Sequence, residues 1–287
     1  MKLAEIFEFG SSLSTRLLRL LAASSYAIIY FAPSVSYAVI GGSAPSAAVR
    51  ASTVSIVSDY RGEPNSICSG TLISNDLVVT AAHCFSKLEF GSTGHIVISF
   101  GEKPADDFSG PLIREVEQIG RRKQILLYPG YVHSKTRPTD LLVGDIALIK
   151  LKTSAPAWFR PAPIANAAKH LKKGDRLLLA GFGTRENQGS SEGLFEASVP
   201  FISVGREFVV ADQSHGTGAC EGDSGGPAYI VVHKGLAVVS STRGPDEQVE
   251  EYVCDVRASY TDLYAYRRFI TEGARKLRAA EPIFLDP

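Results

Sequence analysis

Residues 220–227 read Cys-Glu-Gly-Asp-Ser-Gly-Gly-Pro, and no other stretch limits the possible folds as sharply. A serine set among small residues and followed by Gly-Gly-Pro offers little to packing. Glycine lets a backbone turn tightly and lets another segment come close, and it leaves the Ser224 hydroxyl unshielded. A hydroxyl is a poor nucleophile at neutral pH, so Ser224 needs a base beside it and a third group to orient that base. A histidine with a fitting setting exists: Thr80-Ala81-Ala82-His83-Cys84 follows the apolar run Leu77-Val78-Val79. An acid exists too, in Asp145-Ile146-Ala147-Leu148-Ile149, where it leads into a strand that should be buried. His95, His133, His170, His215 and His233 have no comparable setting and read as surface or loop residues.

With these three segments in the order His, Asp, Ser, the chain resembles the trypsin/chymotrypsin family of serine proteases. The Ala-Ala-His-Cys, Asp-Ile-Ala-Leu and Gly-Asp-Ser-Gly-Gly-Pro segments carry the resemblance, which covers residues 39 to 270 approximately. It implies an all-β fold of two packed six-stranded antiparallel barrels, with the active site in the crevice between them. The activity it implies is peptide-bond hydrolysis through an acyl-enzyme, with no cofactor and no metal. Its partners would be a peptide or protein substrate and a protein inhibitor, and the enzyme would be a monomer.

Size and composition fit one large domain or two small ones. The 30 basic and 30 acidic residues balance, which gives no pull toward nucleic acid or an acidic membrane surface, and a 45% hydrophobic content supports a full core. Lys2, Arg16 and Arg19 precede an uncharged stretch from Leu20 to Ala32, followed by Pro33. That stretch is too short to span a bilayer. Ser36-Tyr37-Ala38 then presents small residues where a signal peptidase reads. Residues 1–38 are therefore expected to be a signal peptide, against the alternatives of a membrane anchor or a disordered leader. Glu5, Glu8 and the length of the segment count against the signal peptide. Export would make the mature chain secreted or periplasmic, with no stable membrane anchor. Four cysteines permit three pairings, and no Cys-x-x-Cys pair suggests a metal. The resemblance implies Cys68 with Cys84 and Cys220 with Cys254.

The peptidase domain is expected over 39–280, with a first barrel over about 39–154, a second over about 155–260, a terminal helix over about 261–280 and a tail at 281–287. Thr53–Ser58 is rich in β-branched residues; strands at 69–73 and 77–80 flank a Ser74-Asn75-Asp76 turn; 95–100, 125–128, 177–183 and 236–240 also read as strands. Residues 103–111, 133–140 and 184–192 are polar loops, and the proline-rich 155–163 crosses between the halves. Leu263, Tyr266, Ile270, Ala274 and Leu277 recur at helical spacing, with Thr261 or Ser259 as the cap, basic residues in the last turn and Pro282 beyond.

The resemblance assigns roles residue by residue. Ser224 is the nucleophile, His83 the base and Asp145 the residue that orients His83. The backbone N–H groups of Gly222 and Ser224 form the oxyanion hole. Asp223 pairs with a new amino group, here that of Val39, formed by cutting before Val39-Ile40-Gly41-Gly42. The family's precursors often carry Arg or Lys before this bond, where this chain has Ala38, so signal-peptide removal itself could create the active terminus. The pocket residues are Gly218, Ala219, Ser240, Thr242 and Ala258, with Ser240 also expected to bond to Asp145. Trypsin-like members carry Asp at the position of Gly218; without an acid, a cationic side chain would be buried unpaired. Small or medium apolar P1 residues are expected. Phe182 and Ser241 stand where the family usually has Trp. Asp106-Asp107 lacks the ligand spacing of a calcium loop.

Two rival readings remain at this level. Gly222-Asp223-Ser224-Gly225-Gly226 also satisfies the Gly-x-Ser-x-Gly pattern of α/β-hydrolase esterases, but there the histidine follows the serine, and only the nearby His233 does so here. A catalytically silent binding protein on the protease fold would normally have lost one of the three residues, and all are present. A third possibility is an enzyme kept latent by its leader until export.

Overall fold

The computed structural model describes residues 39–285 apart from 61–62, 87–95, 106, 117, 120–121, 132–143, 184–192, 234 and 243–256. The expected signal peptide, the loops at 133–140 and 184–192, and Cys254 lie outside these residues.

Strand β1 (Thr53–Tyr60) pairs antiparallel with β2 (Glu63–Ser74), which turns into β3 (Leu77–Thr80). Next come β4 (Ile96–Phe100), β5 (Ile113–Glu115), a small hairpin of β6 (Gln118–Ile119) and β7 (Arg122–Lys123), β8 (Ile125–Leu127) and β9 (Ala147–Lys150). They form a sheet ordered β5-β4-β1-β2-β3-β9-β8. Six of its strands, β5-β4-β1-β2-β3-β9, are the number that the resemblance implies, and β8 adds a seventh at the edge of a curled sheet. Its two sides approach each other where Val116 bridges Leu151.

The second half contains β10 (Ile164–Ala165), β11 (Arg176–Gly181), β12 (Phe195–Val204), β13 (Phe208–Asp212), β14 (Pro227–Val232), β15 (Gly235–Thr242) and β16 (Arg257–Asp262). Pairing of β14 with β15 closes the order β14-β11-β12-β13-β16-β15 into a ring of six strands. Outside the ring, β10 lies parallel to β15, and β17 (Phe284–Leu285) lies parallel to β10. The tail thus supplies a strand.

Side chains on a strand alternate between faces, and that alternation explains the unbroken apolar runs. Leu177 and Leu179 of β11 join the interior of the ring with Val199, Val209 and Val239. Ala180 and Phe182, with Leu178 packed against them, join a different cluster that lies between the sheets. In β3, Val78 enters the first-sheet interior, whereas Leu77 and Val79 enter the cluster between the sheets. Buried on both faces, such strands need no polar positions.

The C-terminal helix runs from Arg267 to Lys276 and packs on this middle cluster through Tyr266, Ile270, Ala274 and Leu277. It begins later than the expected residue 261, because residues 257–262 are drawn into β16 against β13. Neither Ser259 nor Thr261 caps it. Instead Asp262 Oδ1 accepts the Tyr264 N–H at 2.9 Å and turns the chain before the helix starts. Gly273 lets the helix sit on β9, since a Cβ there would come within 2.5 Å of the Leu148 side chain.

One polar network crosses between the sheets. The buried Tyr229 hydroxyl lies 2.8 Å from Ser52 Oγ and 3.0 Å from Thr53 Oγ1. Burial pushes its phenol up to about 12, so it stays protonated and shares its hydrogen with those hydroxyls. Removing one partner of a buried hydrogen bond strands the other. Tyr229→Phe is therefore expected to lower unfolding free energy by about 1–3 kcal/mol, read as a lower urea midpoint at unchanged slope.

Candidate active site

His83 opens a short helix (His83–Ser86) just after β3, and Asp145 stands two residues before β9. Because β3 pairs with β9, with Thr80 opposite Ala147, the two chain segments leave the sheet side by side. Asp145 is fully buried. Its Oδ1 accepts the His83 backbone N–H at 2.9 Å, and its Oδ2 lies 2.8 Å from His83 Nδ1. The Asp145 backbone is held as well, because Thr261 Oγ1 donates to the Asp145 carbonyl at 3.1 Å. One residue earlier, the Gly144 N–H donates to Tyr266 Oη at 2.8 Å, and that hydroxyl donates to Glu207 Oε2 at 3.0 Å. Burial first, then the bond to Glu207, raises the Tyr266 phenol and keeps it a donor. Tyr266 and Glu207 were invisible in the sequence as supports of Asp145; both are remote from it along the chain, and neither lies in a motif.

Ser224 is buried at the end of a turn leading into β14. Its carbonyl accepts the Ser69 N–H at 2.8 Å. Ser69 follows Cys68, which is disulfide-bonded to Cys84, the residue after His83. The structure thus brings Ser224 to the same covalent link that carries the histidine. Cys220 is also disulfide-bonded, and its expected partner Cys254 lies outside the described residues. Cys68, His83 and Cys84 group their potential ligand atoms closely, but the two sulfurs are joined to each other and offer no thiolate.

Two glycines shape the serine turn. Gly222 has φ 84 and Gly225 φ 80, a region that favours glycine. A Cβ on Gly225 would also press within 2.5 Å of the Ser69 carbonyl. The Gly222 carbonyl faces Ser69 and accepts its hydroxyl at 3.0 Å.

Between the glycines, Asp223 points the other way and is fully buried. Its carboxylate accepts the N–H of Gly183 at 2.8 Å and of Cys220 at 2.9 Å, and the Val39 N–H as well. Burial pushes it up to about 7, with the three N–H donors offsetting part of that rise. Val39 is itself buried and has φ 55, a strained setting for a β-branched residue. Ile40 bridges Gly218, so the segment after Val39 is already paired to the serine side of the molecule.

Of the expected pocket residues, Gly218 bridges Ile40, Ala219 is hydrogen-bonded to the Gln213 side chain, Thr242 pairs across from Tyr260 and Ala258 pairs with Ala211. The side chains of Thr242 and Ala258 lie outside the described residues. The expected bond from Ser240 to Asp145 is absent: the Ser240 hydroxyl is buried without a hydrogen-bond partner among the described residues. Both Asp145 oxygens face His83 instead, and Ser240 sits across β15 and β16 from Asp262. A further buried polar side chain, Gln213, packs against Gly218.

The chain matches the family model described as Trypsin over residues 39–270. It is 28% identical to Trypsin of Sus scrofa over 174 residues, covering 56% of this chain and 68% of that protein. It is 28% identical to Serine protease 1 of Homo sapiens over 242 residues, covering 75% of this chain and 87% of that one. With Clotting factor C of Tachypleus tridentatus it shares 29% identity over 188 residues, 56% of this chain but only 17% of that protein's length.

A carboxyl raised from 3.8 to about 7 binds its proton more tightly folded than unfolded. Its contribution to stability is complete below pH ~4 and is lost as pH rises toward 7. An ammonium at Val39 would oppose that loss. The uncut chain should therefore lose thermal stability between pH 4 and 7 more steeply than a chain beginning at Val39, both measured as Ser224→Ala variants by calorimetry.

Proposed function

The chain belongs to the trypsin family, a family of serine-type endopeptidases, and on that premise we propose that it is an exported protease that cleaves after small or medium apolar residues. The observation that carries the mechanism is the double contact between His83 and Asp145. With the Nδ1 proton donated to a buried carboxylate, the neutral ring presents Nε2 as its base. His83 then takes the proton from Ser224 as the hydroxyl attacks the peptide carbonyl, and returns it to the departing amine. Asp145 fixes the tautomer and stabilises the imidazolium formed in between. The tetrahedral oxygen gains charge and is met by the N–H groups of Gly222 and Ser224; the Asp223–Ser224 peptide is held by the Gly226 N–H, which donates to the Asp223 carbonyl at 2.8 Å. Water repeats the cycle on the acyl-enzyme.

Cutting after Ala38 would turn the Val39 amide into an ammonium beside Asp223 and remove the constrained φ at Val39. Charge then meets charge in a site where burial penalises a lone carboxylate. The bond is also where a signal peptidase would act, so export and activation would be one event, and the working form would be a secreted or periplasmic monomer. Among the described residues no helix is long and apolar enough to cross a membrane.

The alternative of a silent binding protein predicts no acylation. A fluorophosphonate probe is expected to label the mature chain, not to label Ser224→Ala, and to label Asp145→Asn more slowly by about 10⁴-fold, the loss typical of this triad. Absence of labelling on the mature chain would support the silent reading. N-terminal sequencing of the exported protein should begin at Val39, and a peptide with Ala at P1 should be cut faster than one with Arg.

A further inference from the structure

Gln213 follows directly on β13 and is only 2% exposed. Glutamine is rarely this deep, and a buried carboxamide must find partners for its oxygen and nitrogen. Ala219 offers a partner to each. Oε1 accepts the Ala219 N–H at 3.1 Å, and Nε2 donates to the Ala219 carbonyl at 3.2 Å. The side chain thus mimics a peptide group in a ladder pair. The Tyr260 hydroxyl, from β16, also donates to Oε1 and locks the amide orientation. Tyr260 is fully buried, and burial together with the charge of Asp223 raises its phenol, so the donor keeps its hydrogen.

This clasp lies against Gly218. A Cβ added to Gly218 would overlap the Gln213 carboxamide, and Gln213 Cγ alone would be 2.5 Å from it. Any side chain at 218 and the amide at 213 are therefore mutually exclusive. The space an acid at residue 218 would fill is taken by a neutral group delivered from the end of β13. The chain then runs from Gly218 and Ala219 through Cys220 to Ser224, so the clasp sets the approach to the nucleophile.

We propose that Gln213 is the specificity-determining residue: its carboxamide closes the pocket behind Gly218 and gives it a short, uncharged floor that rejects Lys and Arg at P1. The inference rests on the trypsin-family reading of Gly218 as a pocket residue. Rejection follows because a buried cation facing an amide already bonded to Ala219 and Tyr260 lacks a counter-charge. Shortness follows because the amide fills volume that a longer P1 side chain would enter.

The test compares P1 peptide libraries on the mature wild type, Gln213→Glu and Gln213→Ala, with fluorophosphonate labelling of Ser224 as the measure of an intact site. Gln213→Glu keeps the size and the acceptor oxygen and adds charge, so the Arg-to-Ala ratio of kcat/KM should rise at least about tenfold. Gln213→Ala should move the optimum from Ala or Val toward Leu or Phe. A wild type that labels but prefers Arg removes the pocket reading and this inference together. A wild type that prefers Ala, with both labelled variants unchanged in profile, removes only the role of Gln213. Loss of labelling in both variants also overturns it, since Gln213 would then serve the fold rather than selectivity.

Discussion

Ser69 joins three parts of the molecule through its polar atoms. Its N–H donates to Ser224, its hydroxyl donates to Gly222 and accepts from the Phe182 N–H, and its carbonyl accepts the Thr80 hydroxyl. Thr80 leads to His83, Phe182 follows β11 of the ring, and Gly222 and Ser224 bracket the serine turn. A single small residue thus fixes the first sheet, the second sheet and the nucleophile loop against one another. It can do so only because everything around it is equally small: Gly225 and Gly226 would meet Ser69 if either carried a Cβ. Close packing of backbone against backbone is what the Gly-rich segment supplies, and the position of the hydroxyl of Ser224 is its consequence.

Two buried carboxylates flank that point and are treated differently. Asp145 has an ionisable partner in His83, whose Nδ1 lies 2.8 Å from its Oδ2. Asp223 has only backbone donors in the uncut chain and is pushed up toward neutrality. Glycines at 181 and 183 crowd it so tightly that a Cβ on either would strike the carboxylate. Glycine at both positions is what lets two segments of backbone come this close to a carboxylate held away from water.

The residues whose chemistry is local were readable from the chain alone. His83, Asp145 and Ser224 stand out because the Ala-Ala-His-Cys, Asp-Ile-Ala-Leu and Gly-Asp-Ser-Gly-Gly-Pro segments carry them, in an order that is not that of the esterase pattern. The doubly buried strands were legible as apolar runs at 77–79 and 177–179. What could not be read depends on register between distant strands. Gln213 is an unremarked glutamine until β13 and β16 bring it to Gly218 and Tyr260. Glu207 and Tyr266 become supports of Gly144 only when 59 and more residues are folded between them. The periodicity from Leu263 to Leu277 identified the right apolar face, but it could not tell that the sheet claims residues 257–262 before the helix begins.

The two-residue strand β17 has a consequence of another kind. Parallel to β10 and anchored nearby by the Ala280 N–H on Asp76 and by Arg275 on Glu281, it covers a flank of the ring's extra strand that would otherwise show bare amides and carbonyls. Open sheet borders invite other molecules to add strands, and very short terminal strands are a common defence. With β17 in place, an extended polypeptide that would pair with β10 meets instead a strand only two residues long.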